Sequence, residues 1–323
     1  MGTLYLETVT TVGNLNQVFA RQYMAEISGT ALANNILVEL KTRVTTLKNR
    51  GVVPGLAVIQ VGDRPESNAY IRKKQRAGAS IGVTVRLIKY EKTPYYQTIA
   101  EQINQLNTDP AIHGIIMQQP LPPLLTTQTF NTIVNKAKDV DGFREKSPFK
   151  PPIVNAVLHI LRETLSYDQL TRLLKSKKIV ILGRGATAGR PIAQEFLLRK
   201  IPHIIVGSGT ENKEEFMKEA DIIISCVGKR GVVKPECLKE GAMLIGVGIT
   251  RGNDGRLHGD YDVDKIKDIA SYYTPTPGGV GPLTVVFLLK NVIKAAEGSQ
   301  QASNRSSYFP PRNNFVSTAH FKL

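Results

Sequence analysis

Seven short apolar runs, at residues 56–61, 83–88, 114–117, 179–182, 203–206, 222–226 and 243–247, are separated by stretches long enough to hold helices. Runs of this length are too short for buried helices, and most lack the alternation of a half-exposed strand, so they read as strands covered on both faces. Strands alternating with helices join as βαβ units, which build parallel sheets. The expected fold class is α/β.

The runs fall into two groups. The first three and the last four are divided by a proline-rich stretch at 148–152 and a helix-like segment at 155–164, which predicts two domains with a boundary near 148–158. A turn-rich stretch at 274–282 then leads into an apolar helical segment at 283–296, expected to pack back on the first domain and close a cleft. The expected division is a first parallel-sheet βαβ domain over 26–150, completed by 283–297, and a second over 151–282. Residues 1–25 show no clear periodicity and read as an N-terminal extension. Residues 298–323 are rich in Ser, Asn, Gln and Pro, with Arg305, Arg312 and Lys322 but no acid, and read as a flexible basic tail.

Composition narrows the function classes. No stretch approaches the roughly 18 uninterrupted apolar residues of a membrane span, and the first 25 residues lack a basic start followed by an apolar core. A cytoplasmic protein with no membrane partner is expected. The two cysteines, Cys226 and Cys237, and five scattered histidines fit no zinc spacing, so no metal is expected. The formal charge of +15 is spread along the chain, its densest cluster being Lys175, Lys177 and Lys178, without interleaved aromatics. That pattern argues against nucleic acid and for a solvated basic surface, with steering of anionic small molecules as its functional reading.

The run at 179–182 leads directly into Gly183-Arg184-Gly185-Ala186-Thr187-Ala188-Gly189, followed by a helix-like stretch. A strand, a glycine turn and a helix in that order form the Rossmann-type dinucleotide signal: side chains at Gly183 or Gly185 would hold the backbone away from a pyrophosphate, whose charge is met by free N–H groups at the helix start. The following strand ends Ile204-Ile205-Val206-Gly207-Ser208-Gly209-Thr210, without the carboxylate that usually takes a ribose 2′-hydroxyl. With Arg184 and Ser208 able to meet a 2′-phosphate, NADP is expected over NAD.

In the first domain, Ser67, Tyr70 and Lys74 fall at i, i+3 and i+7 of a helix expected to start after Gly62-Asp63-Arg64-Pro65, hence on one face. The spacing fits an ordinary solvated basic face; it also fits a lysine serving as a proton carrier, its pKa lowered by burial and by Arg72, Lys73 and Arg76. Gln118 and Gln119 follow the third run, at the strand end where parallel sheets bind ligands. The loop Lys138-Asp139-Val140-Asp141-Gly142-Phe143 can present a carboxylate to a planar pair of donors. The stretch Pro275-Thr276-Pro277-Gly278-Gly279-Val280-Gly281-Pro282-Leu283-Thr284 allows close backbone approach to a ligand.

Together these segments, with Gly259-Asp260-Tyr261-Asp262-Val263, resemble the methylenetetrahydrofolate dehydrogenase/cyclohydrolase family over roughly residues 28–297. The resemblance implies oxidation of 5,10-methylenetetrahydrofolate by NADP and hydrolysis of the methenyl product to 10-formyltetrahydrofolate. It implies Lys74, Tyr70 and Gln118 as catalytic residues; Tyr70, Gln118, Asp141, Pro277, Gly278 and Gly279 at the folate; Gly183, Arg184, Gly185, Gly189, Ser208 and Thr250 at the cofactor; and a homodimer. The chain departs from the family pattern at Gly185, where a Ser is usual, at Ala188, at Gly207 and Gly209, at Pro152-Ile153-Val154 and at Gly246 and Thr250, all on or near the dinucleotide side. Those departures predict weakened cofactor affinity or NADP preference beside intact cyclohydrolase chemistry. Two other readings stay open: a different Rossmann dehydrogenase acting on a hydroxy or amino acid, and a folate- or dinucleotide-binding protein without turnover.

Overall fold

The structure is a computed structural model that describes residues 25–122, 125, 130, 132–165 and 170–306. Each of the seven apolar runs forms a strand. In the first unit, helix α1 (Gly29–Asn49) precedes β2 (Gly55–Val61), α2 (Pro65–Ile81), β3 (Thr84–Tyr90), α3 (Tyr96–Thr108) and β4 (Gly114–Met117), and the three strands form a parallel sheet in the order β3-β2-β4. Central β2 is buried along its whole length, as its apolar sequence, broken only at Gln60, requires, whereas edge strand β3 is partly exposed.

The second unit carries α4 (Pro152–Leu165), α5 (Leu170–Lys175), β5 (Ile179–Leu182), α6 (Gly189–Leu198), β6 (Ile204–Val206), α7 (Lys213–Glu219), β7 (Ile222–Ser225) and β8 (Met243–Gly246). A hairpin of β9 (Ile249–Arg251) and β10 (Leu257–Gly259), the short helix α8 (Val263–Ile266) and β11 (Tyr272–Tyr273) follow. With β1 (Ala25–Glu26) included, the six-stranded sheet is parallel throughout, in the order β1-β11-β8-β7-β5-β6. Its outermost strand β1 comes from the start of the described chain, so the segment before α1 belongs structurally to the second sheet. The short strands β1, β9, β10 and β11 have no apolar run to announce them.

Helix α9 (Val280–Ser306) returns to the first unit and packs against α1 and α4. It continues into the segment expected to be tail; the rest of that segment, like residues 1–24, lies outside the described residues. One apolar core joins the units, with Leu40 of α1, Leu56 of β2, Ile160 of α4, Ile181 of β5 and Leu289 of α9 all fully buried in it. Arg43 donates two bonds to Glu297, at 3.0 and 2.7 Å, and the buried Asn291 amide donates to Val140 O and Lys150 O at 2.8 and 3.0 Å. Buried backbone carbonyls need such partners. Asn291 therefore fixes the segment carrying Asp141 against α9, and with it one wall of the cleft.

Candidate active site

The C-terminal ends of β2 and β4 meet the first turns of α2. Gly62, at φ 81°, turns the chain out of β2, and Pro65 sits in the first turn of α2, where a missing N–H costs nothing. At the other end Gly82 closes the helix in the left-handed conformation. The helix therefore presents the face that the spacing predicts: Ser67 Oγ donates to Gln119 O at 3.2 Å, and Lys74 Nζ donates to Gln118 Oε1 at 2.7 Å. The Gln118 amide donates in turn to Gln119 O at 2.9 Å, which turns its oxygen toward the lysine. Tyr70 borders a slot of roughly 30 Å³ with Pro277, Gly278 and Gly279, and the Lys73 ammonium lies 5.6 Å from its ring centroid.

Burial lowers the pKa of Lys74, opposed by the Asp141 carboxylate. Burial raises Asp141 to about 6, with Lys74 pulling it down and Asp139 pushing it further up. Desolvation thus outweighs mutual attraction for both groups, as it does when charges face each other in a poorly hydrated cleft. Asp139 serves the backbone instead, because its carboxylate accepts from the N–H groups of Phe143 and Arg144 at 3.3 and 2.9 Å, which holds the loop that carries Asp141. Burial also raises Tyr70, which stays a neutral phenol at physiological pH.

Across the cleft, a cavity of roughly 610 Å³ lies at the C-terminal ends of β5, β6 and β7, lined by Gly183, Arg184, Gly185 and Ser208. At φ 99°, Gly183 adopts a conformation that favours glycine, and a Cβ there would stand 2.8 Å from Cys226 O. Gly189 is required by packing, since its Cβ would fall 1.9 Å from Gly183 O. Around Gly185, by contrast, a Cβ meets nothing within 4 Å. Arg184 lies beside Gly207 and donates to Ile205 O at 3.2 Å, taking the space a side chain at 207 would fill.

Thr250 is not part of this wall. It sits in the β9–β10 hairpin, paired with His258, away from the cavity that Arg184 lines. Lys213, Lys229, Arg230 and Lys234, which no sequence argument singled out, do line the cavity, with Glu214 of the rim 3.9 Å from Lys234. The adjacent Lys229 and Arg230 just past the β7 run were the available signal. Among the described residues no cluster of three metal-ligating side chains occurs, and no helix is long and apolar enough to cross a membrane.

Two parallel-sheet lobes, a glycine-turn dinucleotide cavity on one and a half-buried lysine on the other, define a two-lobed Rossmann-type dehydrogenase. Residues 27–141 match the catalytic domain of tetrahydrofolate dehydrogenase/cyclohydrolase, and residues 152–300 match its NAD(P)-binding domain. The chain belongs to the tetrahydrofolate dehydrogenase/cyclohydrolase family. It is 38% identical over 279 residues to the bifunctional protein FolD of Lactococcus lactis, covering 84% of this chain and 96% of that one. Among solved structures, the bifunctional FolD of Campylobacter jejuni superposes with a TM-score of 0.79 at 31% identity, over 85% of this chain and 99% of that one. The Trypanosoma brucei methylenetetrahydrofolate dehydrogenase-cyclohydrolase, complexed with NADP cofactor and an inhibitor, gives a TM-score of 0.79 at 31% identity, over 86% and 98% of the two chains.

Proposed function

We propose that this chain oxidises 5,10-methylenetetrahydrofolate to the methenyl form with NADP and hydrolyses that product to 10-formyltetrahydrofolate in the same cleft. The observation that carries the reading is the 2.7 Å bond from Lys74 Nζ to Gln118 Oε1, in a cleft facing a cavity edged by cations.

The cofactor cavity fits a phosphorylated dinucleotide. Gly183 and Gly189 allow the tight turn into α6, no side chain caps the start of that helix, and Arg184, Ser208, Lys213, Lys229, Arg230 and Lys234 surround the space with donors and positive charge. Bound NADP supplies the hydride acceptor. Gly183, Arg184, Gly185 and Ser208 would hold it, and Gly189 supports the turn.

In the folate half, Asp141 accepts from the amino-pyrimidinone edge of the pterin, Tyr70 packs on the folate, and Pro277, Gly278 and Gly279 line its far wall. Hydrolysis adds water to the methenyl carbon and breaks a ring C–N bond, so one proton leaves the water and one reaches the departing nitrogen. Lys74, with its lowered pKa, takes the first and returns it to the nitrogen, while Gln118 keeps the amine aimed.

The proposed domain division is 26–150 with 283–297 for the folate half and 151–282 for the cofactor half, with strand β1 (Ala25–Glu26) at the start lending its edge to the cofactor-half sheet. We also place the enzyme in the cytoplasm, a setting supported by its unpaired cysteines Cys226 and Cys237. A homodimer is supported by edge strand β6, whose own Ile204 is exposed, as are Leu197 and Leu198 on the helix before it. Light scattering after gel filtration that gives a monomer mass would remove this last element.

The test follows methenyltetrahydrofolate in two assays with the purified chain: its loss without cofactor, and its formation from the methylene form with NADP or NAD. Both reactions are expected. Hydrolysis alone would reduce the reading to a cyclohydrolase, and tight folate binding with neither reaction would replace it with a binding protein.

A further inference from the structure

The segment Gly259-Asp260-Tyr261-Asp262-Val263 stands out in the sequence, yet none of its side chains enters the proposed mechanism. Asp260 is fully buried. Its Oδ2 accepts from Ser225 Oγ at 2.6 Å and from Val227 N at 2.9 Å, and its Oδ1 accepts from Lys229 N at 2.9 Å. The backbone carbonyl of the same residue accepts from Val233 N at 3.1 Å.

All four donors belong to one stretch, the end of β7 and the loop that follows it. That loop turns at Gly228, at φ 71°, and supplies Cys226, Val227, Lys229 and Arg230 to the wall of the dinucleotide cavity. Gly248 clears the space for the carboxylate: a Cβ at that position would lie 2.2 Å from Asp260 Oδ2. A buried carboxylate holding three donors is a strong, directional anchor, and no apolar side chain could replace it without leaving two N–H groups unpaired.

We infer that Asp260 is a positioning residue for the dinucleotide: by gathering Ser225, Val227 and Lys229 around one carboxylate, it sets the shape of the loop that carries Lys229 and Arg230 to the cofactor. It touches neither cofactor nor folate, and none of its four bonds reaches the Lys74 side of the cleft. Its removal therefore separates the two reactions, one of which needs a dinucleotide while the other does not.

This inference rests on the proposed bifunctional reading, so the wild-type chain is assayed first; absence of both activities there defeats the reading itself. With both present, Asp260→Asn keeps the shape but puts an NH₂ among donors. The expected result is a rise of about tenfold or more in the KM for NADP, with kcat at saturating NADP and the cofactor-free hydrolysis rate each held within about twofold. In the double variant with Arg230→Ala the KM penalties should fall short of multiplying, because both act through one loop. An unchanged KM, or loss of hydrolysis in step with the dehydrogenase in a folded protein, overturns the inference. Should Asp260→Asn fail to fold, Ser225→Ala removes one donor from the carboxylate more gently; it must raise the KM for NADP with hydrolysis intact, and an unchanged KM overturns the inference equally.

Discussion

Lys74 Nζ and Gln118 Oε1 lie 2.7 Å apart, one carried by the helix after β2 and the other by the tip of β4. The bond links two rigid elements, so it fixes where the amine can move a proton. Lys74→Met should lower hydrolysis of methenyltetrahydrofolate by about 10²- to 10⁴-fold, the usual worth of a positioned acid or base. Gln118→Leu should lower it by a smaller factor, since the amine remains but loses its aim. Hydrolysis that survives Lys74→Met in a protein of unchanged circular dichroism would exclude the lysine.

Asp141 predicts a pH effect of definite sign. Its carboxyl titrates at about 6 in the folded protein against an ordinary value of 3.8, so the folded state holds the proton more tightly than the unfolded chain. The stability this provides is present at low pH and is lost as pH rises from about 4 to about 6. Lys74, held below its usual value, likewise favours its neutral form. Above pH 6 the fold therefore carries a half-buried, poorly solvated carboxylate at a cost. Asp141→Asn should raise the stability of the ligand-free protein at pH 7.5 by on the order of 1–2 kcal/mol, with the gain shrinking toward pH 4, while folate affinity falls. Thermal melts across that range check it, and a gain independent of pH would contradict it.

The two lobes and the lysine-bearing helix face are legible in the sequence because they rest on local signals. Apolar runs at 56–61 and 179–182 give buried strands, Pro65 and Gly82 bracket α2, and the spacing of Ser67, Tyr70 and Lys74 puts them on one face. What the sequence hides is set by distant partners. β1 forms because β11, far along the chain, offers it an edge, and two residues carry no periodicity of their own. Lys213 and Lys234 come to the cofactor cavity from the start of α7 and from the loop after β7, and the raised pKa of Asp141 arises from burial beside a lysine on another element.

Arg184 should set cofactor choice. It lines the cavity along with Ser208, anchored by its bond to Ile205 O, with the side chain folded over Gly207. A charge-assisted bond to a 2′-phosphate is worth about 1.5–3 kcal/mol, so Arg184→Ala should cut the NADP-over-NAD preference by roughly tenfold to a hundredfold. The measurement is the ratio of kcat/KM for the two cofactors. A fall well short of tenfold would shift the 2′-phosphate contact to Lys213, Lys229, Arg230 or Lys234 on the same wall.

The glycines of the cofactor turn are not equivalent, although the sequence presents them alike. Gly183 combines a left-handed backbone with a Cβ position 2.8 Å from the Cys226 carbonyl, whereas Gly185 has neither constraint. Gly183→Ala should destabilise the dinucleotide half by at least about 1–3 kcal/mol through backbone strain alone, with the clash adding to it. Gly185→Ser, which introduces the residue usual in the family, should leave the melting temperature unchanged and give the cofactor an added hydroxyl. Its expected effect is an unchanged or lower KM for NADP. A higher KM in a protein of wild-type stability would mean that Gly185 is kept bare for close approach of the pyrophosphate, and that the departure from the family pattern is an adaptation of this turn.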